Sequence, residues 1–234
     1  MKKVFLHPLQ FFIALSVMIV CISYFQTTYA QVVAPPFESE IKAFEKQDSL
    51  TPPIKGGIVL WGSSTFRLWK TAIEDLKGYP VTNRGFGGSQ MEHAILHFER
   101  AVLPLAPKLL LIYEGDNDLS TGKKTPEKVL EDFKTLVALV HSKLPQTRIT
   151  FMSIRPSLAR ETLFAEQVKA NELVKKYCQK NKKRLDFVNA RPLLLDANGK
   201  PNGDLLIADK LHLNAKGYEI WTKVTRAYLA KAWK

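Results

Sequence analysis

Residues 60–67 read Leu60-Trp61-Gly62-Ser63-Ser64-Thr65-Phe66-Arg67. The apolar run that enters this stretch is bounded by glycines, which is typical of a buried parallel strand. The apolar residues after it recur at helical spacing, which predicts one helix through Leu76. A serine at such a junction lies at the carboxyl end of its strand, where open α/β sheets bind ligands. We therefore interpret Ser64 as a candidate nucleophile, the alternative being that Ser63 and Ser64 only cap the helix.

A carboxylate and an imidazole lie near the end of the chain, where Asp209 precedes His212 by three residues. A serine hydroxyl attacks well only when a base takes its proton, and a carboxylate that holds the imidazole improves that base. The Asp-x-x-His spacing can supply both groups from one loop. By itself the pair is weak support, because this spacing also arises by chance, but Gly88 and Asn117 strengthen it.

Four blocks of the sequence resemble the SGNH hydrolases, the serine-esterase superfamily that includes the GDSL-type lipases and esterases. The blocks are Gly62-Ser63-Ser64, Asn83-Arg84-Gly85-Phe86-Gly87-Gly88, Gly115-Asp116-Asn117-Asp118 and Asp209-Lys210-Leu211-His212. The resemblance covers residues 55–232. It implies Ser64 as nucleophile and Asp209 and His212 as the rest of the triad. It also implies that the oxyanion is bound by the backbone N–H groups of Ser64 and Gly88 and by the side-chain amide of Asn117.

Two of these blocks need comment. The family's common first block is Gly-Asp-Ser, whereas Ser63 holds the middle position here. This change removes any hydrogen bond that an aspartate would make to neighbouring loops and leaves the nucleophile in place. In the second block Gly85, Gly87 and Gly88 lie close together, so the pattern leaves open which of them is the oxyanion donor. We select Gly88 because it precedes a polar residue and a helical pattern.

The rest of the chain predicts a single α/β domain. Helical patterns alternate with apolar runs, which implies a parallel sheet covered by helices on both faces. The runs lie at residues 56–61, 80–83, 108–113, 148–154 and 185–189. This is a flavodoxin-like three-layer sandwich with a five-stranded parallel sheet, which the SGNH resemblance also implies. We expect residues 31–54 to form a lead-in with a short amphipathic helix and residues 55–234 to form the hydrolase domain.

Residues 1–30 resemble a secretory signal peptide. Two lysines follow Met1, residues 9–25 are uncharged and mostly apolar, and Thr28-Tyr29-Ala30 fits a cleavage site. We therefore expect an exported protein, periplasmic or secreted, whose mature chain begins at Gln31. The apolar run is long for a signal peptide and at the short limit for a spanning helix, so an uncleaved anchor formed by residues 9–25 is the alternative.

The net charge of the chain bears on which partners it can bind. The formal net charge is +12, yet the basic residues are scattered and form no recognition motif, so we expect solvated helix faces and no nucleic acid. The positive surface fits association with an anionic envelope or membrane surface.

After removal of residues 1–30 the remaining cysteine is Cys178, which cannot form an internal disulfide. We expect Cys178 to be buried in a helix.

We expect no metal and no cofactor. The glycines of residues 85–88 lack the spacing of a dinucleotide fingerprint and its following acidic residue. His93 and His97 lie four residues apart on one predicted helix, which is a spacing that zinc sites use. No third ligand is indicated for them, so we favour surface or packing roles for both histidines.

The third block carries further polar residues whose roles the sequence leaves less defined. Asp116 and Asp118 resemble metal ligands, but we expect them to bond loop backbone and to orient Asn117, because turns rich in Asp, Asn and Gly need such local bonds. Arg155 follows the fourth strand at the same edge of the sheet. It either contacts the substrate or holds a loop, and the sequence favours neither role.

The function predicted from these observations is an exported serine esterase that acts through an acyl-enzyme. The chain shows no lid-sized insertion, which favours a small acyl group such as acetyl on a carbohydrate over a long lipid tail. The expected substrate is thus a small-molecule or polysaccharide ester, and acyl transfer in place of hydrolysis is also open. The alternatives are a lysophospholipase or thioesterase and a non-catalytic carbohydrate-binding module on the same scaffold.

Overall fold

The computed structural model describes residues 34–233, so the signal peptide expected at residues 1–30 lies outside the described residues. One parallel sheet lies at the centre of the fold. Its strands are β1 (Ile58–Gly62), β2 (Val81–Gly85), β3 (Leu109–Tyr113), β4 (Arg148–Met152) and β5 (Leu185–Val188). They are arranged in the order β2-β1-β3-β4-β5. The five-stranded parallel sheet predicted from the sequence is therefore confirmed, with the flavodoxin-like strand order.

Helices connect the strands and cover the sheet. They are α1 (Glu38–Leu50), α2 (Ser64–Arg67), α3 (Ala72–Asp75), α4 (Met91–Ala101), α5 (Asp116–Ser120), α6 (Pro126–Lys143), α7 (Phe164–Lys180) and α8 (Ala215–Ala232). Short 3₁₀ segments lie at Leu103–Leu105, Leu158–Leu163, Arg191–Leu194 and Gly203–Leu205. From residue 34 to residue 233, no helix has the length and apolar character that crossing a bilayer requires.

Each face of the sheet is covered by its own apolar cluster. Val59 and Trp61 of β1 pack into one cluster, whereas Ile58 and Leu60 pack into the other. This alternation follows from the two-residue period of a strand, and burial on both faces explains why the strands read as continuous apolar runs. Phe133 of α6 belongs to the first cluster. The layers of helix, sheet and helix are those of the predicted three-layer sandwich.

The helix expected in the lead-in is α1, and it packs against the sheet. Ile41 is fully buried in the first cluster. Asp48 accepts two hydrogen bonds from Nη2 of the buried Arg84, at 2.5 and 2.6 Å. The Arg84 guanidinium also lies over the ring of Phe44, 4.9 Å from its centroid. Residues 38–50 are therefore part of the compact unit that begins at Phe37.

The single helix predicted from Ser64 to Leu76 is wrong. The chain forms the two short helices α2 and α3, and the Asn83 amide donates to the Phe66 carbonyl at 2.8 Å between them. That carbonyl is one that a continuing helix would use for its own ladder. Asp75, the last residue of α3, accepts from the Trp69 indole at 2.6 Å and from the Thr71 hydroxyl at 2.7 Å, which ties the separate turn together. Ile73, which the spacing placed on the core face, is 53% exposed as a result.

Candidate active site

The end of strand β1 delivers Ser64 to the carboxyl edge of the sheet. Gly62 has a φ of 138°, and a Cβ at this position would lie 2.2 Å from the Tyr113 carbonyl oxygen, so only glycine fits. Ser63 then donates its backbone N–H to the same carbonyl at 3.0 Å. Ser63 is the N-cap residue of α2, and within the described residues its side chain makes no capping bond. The turn therefore leaves Ser64 at the start of α2, with its hydroxyl available for other partners.

Ser64, His212 and Asp209 form one continuous chain of contacts. The Ser64 Oγ and the His212 Nε2 lie 2.9 Å apart, and the His212 Nδ1 and the Asp209 Oδ2 lie 2.6 Å apart. An ionised carboxylate can only accept, so the imidazole proton is on Nδ1. The Nε2 lone pair consequently faces the Ser64 hydroxyl and can accept its proton.

The turn at residues 209–212 holds the Asp209 carboxylate in its ionised form. Its Oδ1 accepts the backbone N–H groups of Leu211 and His212 at 2.8 and 2.9 Å. Desolvation raises the pKa of Asp209, but the hydrogen bonds from His212 and Leu211 outweigh this and lower the pKa to about 2. Between the two residues Lys210 adopts a left-handed conformation with a φ of 56°. This tight turn is what brings a carboxylate and an imidazole three residues apart into direct contact.

Asn117 lies at the start of α5 and contacts Ser89 and Arg160. It follows Gly115, whose φ of 104° turns the chain sharply after β3. The Asn117 Nδ2 donates to the Ser89 carbonyl at 2.9 Å, and its Oδ1 accepts from Arg160 Nη2 at 2.7 Å. Asn117 is only 7% exposed. Because an amide carries two N–H donors, one Asn117 N–H is left for a ligand.

Backbone contacts distinguish the three glycines of the second block. The Gly85 N–H donates to the Asn83 side chain at 2.9 Å, and the Gly87 N–H donates to Glu40 at 2.8 Å. Within residues 34–233 the Gly88 N–H has no acceptor. A Cβ on Gly88 would lie 3.9 Å from the Asn117 Nδ2, which places the two groups side by side. Of the three glycines, Gly88 is the one whose N–H can bind a ligand together with Asn117.

A buried acid supports the loop that carries Gly88. The Ser89 hydroxyl donates to the Glu114 Oε1 at 2.6 Å. Glu114 is 1% exposed, and its desolvation, with the negative charge of Asp118 nearby, raises its pKa well above the usual value. Burial therefore disfavours the ionised form of this side chain. The Ser89 carbonyl also accepts from Asn117. The hydrogen bond between Ser89 and Glu114 therefore holds both Asn117 and the neighbouring Gly88 relative to the sheet.

Asp118 performs the local role expected for it. Its carboxylate accepts the backbone N–H groups of Gly115 at 3.0 Å and of Met91 at 3.1 Å. Lys124 donates to the same carboxylate at 3.2 Å. The prediction that Asp118 bonds backbone of this region is thus confirmed, and Asp118 connects the turn after β3 to the start of α4.

The prediction that Asp116 bonds loop backbone is wrong. Its Oδ2 pairs with Arg160 Nη1 at 2.7 Å, and its Oδ1 accepts from the Gln167 amide at 3.1 Å. Its side chain is 6% exposed, so the charge needs these polar partners. Asp116 therefore acts on Asn117 indirectly, through Arg160.

Arg155 lies beneath α2 and is 1% exposed. Its Nε donates to the Thr65 hydroxyl at 3.2 Å. The Tyr218 hydroxyl donates to the Thr65 carbonyl at 2.8 Å. Of the two roles open for Arg155 from the sequence, these contacts favour holding the residue that follows Ser64.

The histidines of α4 and the cysteine of α7 make packing contacts. The His93 Nδ1 accepts from the Gln90 backbone at 3.0 Å, and His97 is 1% exposed. Burial raises the pKa of the Cys178 thiol to about 12, as expected for a packed side chain. Across residues 34–233, no three His, Cys, Asp or Glu side chains are arranged to hold a metal ion.

The sequence did not indicate Arg160, Ser89 or Glu114 as site residues. Ser89 and Glu114 directly adjoin the second and third blocks, so position next to those blocks is a usable signal. Arg160 lies 43 residues from Asn117 in a 3₁₀ segment with no periodic pattern. No local feature of the sequence indicates its contact with Asn117.

Residues 48–220 match the profile of the GDSL-like Lipase/Acylhydrolase family. The platelet-activating factor acetylhydrolase IB subunit alpha1 of Bos taurus is 29% identical over 162 residues, which are 68% of this chain and 65% of that protein. The chain thus spans slightly less than two thirds of the length of this curated relative.

Solved structures share the fold at lower identity. A GDSL-like lipase of Bacteroides thetaiotaomicron superposes with a TM-score of 0.69 at 20% identity, over 82% of this chain and 98% of that one. The acetyl xylan esterase AlAXEase gives a TM-score of 0.60 at 18% identity, over 74% of this chain and 98% of that one. These matches show that the arrangement of the sheet and its helices is common to the three proteins.

Proposed function

The chain belongs to the GDSL-like Lipase/Acylhydrolase family, and we propose that it is a serine esterase that hydrolyses acyl esters through an acyl-enzyme on Ser64. The observation that carries the proposal is the contact chain from the Asp209 carboxylate through His212 to the Ser64 hydroxyl, with distances of 2.6 and 2.9 Å. A carboxylate, an imidazole and a serine in this order are the groups that acyl transfer requires.

The first half-reaction acylates the enzyme. His212 Nε2 takes the hydroxyl proton while the Ser64 Oγ attacks the ester carbonyl carbon. The Nδ1–H keeps its bond to Asp209, whose charge stabilises the imidazolium. His212 then returns the proton to the leaving oxygen, so the alcohol departs and the acyl group stays on Ser64.

The tetrahedral intermediate places negative charge on the former carbonyl oxygen. The donors that we assign to this oxygen are the backbone N–H groups of Ser64 and Gly88 and the remaining N–H of the Asn117 amide. Removing one such preorganised donor typically lowers turnover by about 10²–10³. A water activated by His212 then attacks the acyl carbon, and the collapse of the second intermediate releases the acid and restores Ser64.

We propose acetyl esters of carbohydrates as the substrate class. Two similar proteins carry names that specify acetyl release, an acetylhydrolase subunit and an acetyl xylan esterase. The connection that follows Ser64 adds to this, because between β1 and β2 its helices are the four-residue α2 and α3, with no lid-sized insertion. Lysophospholipids and thioesters are the competing substrates, and a binding module without turnover is the competing role.

The test compares p-nitrophenyl acetate, butyrate, octanoate and palmitate, run beside acetylated xylo-oligosaccharides, with Ser64→Ala as the control. We expect kcat/KM to be highest for acetate, acetate to be released from the oligosaccharides, and Ser64→Ala to match the uncatalysed rate. A maximum at palmitate would point to a lipid substrate. Binding of the oligosaccharides without release of acetate would point to the binding module.

We propose that the protein acts outside the cytoplasm. Residues 1–30 support this through their two lysines, the apolar run of residues 9–25 and the small residue Ala30. Mass spectrometry of the protein isolated from its source tests the proposal. A chain that begins at Gln31 is expected, whereas recovery of residues 9–25 in the purified protein would instead indicate an anchor at the envelope membrane.

A further inference from the structure

Arg160 reaches the oxyanion side of the site from an exposed segment. It lies in the 3₁₀ segment Leu158–Leu163, which is partly or fully exposed along its length. Its own side chain is nevertheless only 11% exposed. The guanidinium accounts for this difference, because Nη2 donates to the Asn117 Oδ1 and Nη1 pairs with the Asp116 Oδ2, both at 2.7 Å.

We propose that Arg160 is a positioning residue that fixes which way the Asn117 amide faces, so that its Nδ2 and not its Oδ1 is presented to the substrate oxygen. The inference rests on the proposed esterase function. It assigns Arg160 no contact with the substrate, and its effect on the reaction passes through Asn117.

The direction of the amide follows from what its neighbours can donate and accept. A guanidinium has donors and no acceptor, so the amide atom that faces Arg160 must be the oxygen. The Ser89 carbonyl has only lone pairs, so the amide atom that faces it must be the nitrogen. Both neighbours therefore select the same orientation of Asn117.

The reverse orientation would be unfavourable at three points. The Asn117 Nδ2 would meet the Nη2 of Arg160, donor against donor, and the Oδ1 would meet the Ser89 carbonyl oxygen. The Oδ1 would also face the position where the tetrahedral intermediate carries negative charge. In the free enzyme without Arg160, only the Ser89 carbonyl would oppose the reverse orientation. Asn117 is 7% exposed, so its amide has few alternative partners.

Arg160 is itself held in place by the residue that precedes Asn117. Both oxygens of the Asp116 carboxylate are used, one by Arg160 and the other by Gln167 at 3.1 Å. The negative charge of Asp116 balances the guanidinium, so the pair presents little net charge to a substrate. This balance is what distinguishes a positioning role from direct recognition of an anionic substrate.

The same segment also contacts the other half of the site. The backbone N–H of Ala159 donates to the Lys210 carbonyl at 3.0 Å, within the turn that carries Asp209 and His212. Residues 159 and 160 thus connect the turn of the general base to the oxyanion donor. A change confined to the Arg160 side chain leaves this backbone bond in place.

The test is a double-mutant cycle that combines Arg160→Met with Asn117→Ala on p-nitrophenyl acetate. Arg160→Met keeps the length of the side chain and removes its donors. We expect it to lower kcat by at least about tenfold, bounded by the roughly 10²–10³ that loss of the donor itself costs, with KM changed less than about threefold. In the Asn117→Ala background the same change should alter kcat by less than about threefold. Arg160→Lys, which keeps a donor, should recover part of the loss.

The matched control is Arg226→Met. Arg226 is an exposed arginine of α8 that donates to the carbonyls of Asp75 and Lys77. Its loss should leave kcat unchanged. An Arg160→Met variant that keeps wild-type kcat would overturn the inference. An equal loss of activity from Arg160→Met in the Asn117→Ala background and in the background that keeps Asn117 would overturn it as well.

A second readout does not depend on turnover. The side-chain NH₂ signals of Asn117 in ¹H–¹⁵N spectra, assigned by their loss in Asn117→Asp, should shift or broaden in Arg160→Met and stay in place in Arg226→Met. Unchanged signals in Arg160→Met would contradict the inference even if no ester is hydrolysed. Failure of the proposed function, by contrast, would appear as wild-type protein without esterase activity but with the expected change in these signals.

Discussion

The His212 Nε2 lies 2.9 Å from the Ser64 Oγ, although 148 positions of sequence separate the two residues. Ser64 follows β1, and His212 lies in the turn before α8. Tyr218 of α8 donates its hydroxyl to the carbonyl of Thr65 at 2.8 Å, which ties this helix to the residue after Ser64. Because the backbone and α8 hold the pair together, side-chain substitutions at the site should change the chemistry more than the fold.

Asp209→Asn should abolish most activity while the turn stays folded. The asparagine oxygen can still accept the backbone N–H groups of Leu211 and His212, but its amide would face the imidazole Nδ1 with a donor and select the wrong tautomer. In serine hydrolases this change lowers kcat by about 10⁴-fold. Measured kcat/KM and melting temperature check the prediction. A folded variant that keeps most of its activity would mean that His212 is oriented by another group.

Asn117→Ala should lower turnover and leave the nucleophile reactive. The variant removes one donor to the oxyanion, which typically costs about 10²–10³ in kcat. It leaves the contact between Ser64 and His212 intact, so a fluorophosphonate should still label the serine. His212→Ala is the comparison, since loss of the base should slow the labelling as well as the turnover. Equal labelling rates in both variants would contradict this division of roles.

Gly85 and Gly88 of the second block should respond differently to alanine. A Cβ on Gly88 meets the Asn117 Nδ2 at 3.9 Å, an ordinary contact, and the substitution keeps the N–H. A Cβ on Gly85 would lie 2.2 Å from the backbone nitrogen of Arg67, which must shift. Gly85→Ala should therefore lower the melting temperature well beyond any change in Gly88→Ala. Equal melting temperatures, measured by calorimetry, would contradict the close approach of residue 85 to the Arg67 backbone nitrogen.

Glu114→Gln should change how stability depends on pH. Burial raises the pKa of Glu114 in the folded protein, so the folded state keeps a proton that the unfolded chain releases above about pH 4.3. By linkage, this group's contribution to stability is complete below that pH and declines as the pH rises towards the folded pKa. Glutamine does not ionise and keeps an acceptor for Ser89.

Wild type should therefore lose stability relative to Glu114→Gln as the pH rises above about 4.3, by at most about tenfold in the unfolding equilibrium constant per pH unit. Chemical denaturation of both proteins at several pH values gives this difference. A difference that does not change with pH would mean that Glu114 is ionised in the folded state.

Much of the fold could be predicted because its information is local. Strands buried on both faces read as apolar runs, and Ser64 lies where the first run meets a helical pattern. The division of the helix after Ser64 could not be predicted, because it depends on the side chain of Asn83, which comes from the neighbouring strand β2. The spacing of apolar residues in a helix does not show that a backbone carbonyl accepts a hydrogen bond from a side chain distant in sequence.

In the candidate active site, too, local contacts could be predicted from the sequence and contacts between distant residues could not. The Asp-x-x-His spacing predicts that the two side chains are in contact, because a single turn is enough to bring Asp209 to the His212 ring. The choice among Gly85, Gly87 and Gly88 depends on whether each N–H already has an acceptor, such as Glu40 of α1. That acceptor comes from a helix 47 positions earlier, which the pattern of glycines does not record.

The identity of the nucleophile can be measured by labelling wild type, Ser63→Ala and Ser64→Ala with a fluorophosphonate and mapping the modified peptide by mass spectrometry. Ser63 is 2% exposed, whereas the Ser64 hydroxyl faces His212. We expect one phosphonate per chain on Ser64 in wild type and in Ser63→Ala, and none in Ser64→Ala. Stoichiometric labelling of Ser64→Ala, or its absence in Ser63→Ala with the protein folded, would contradict Ser64 as the nucleophile.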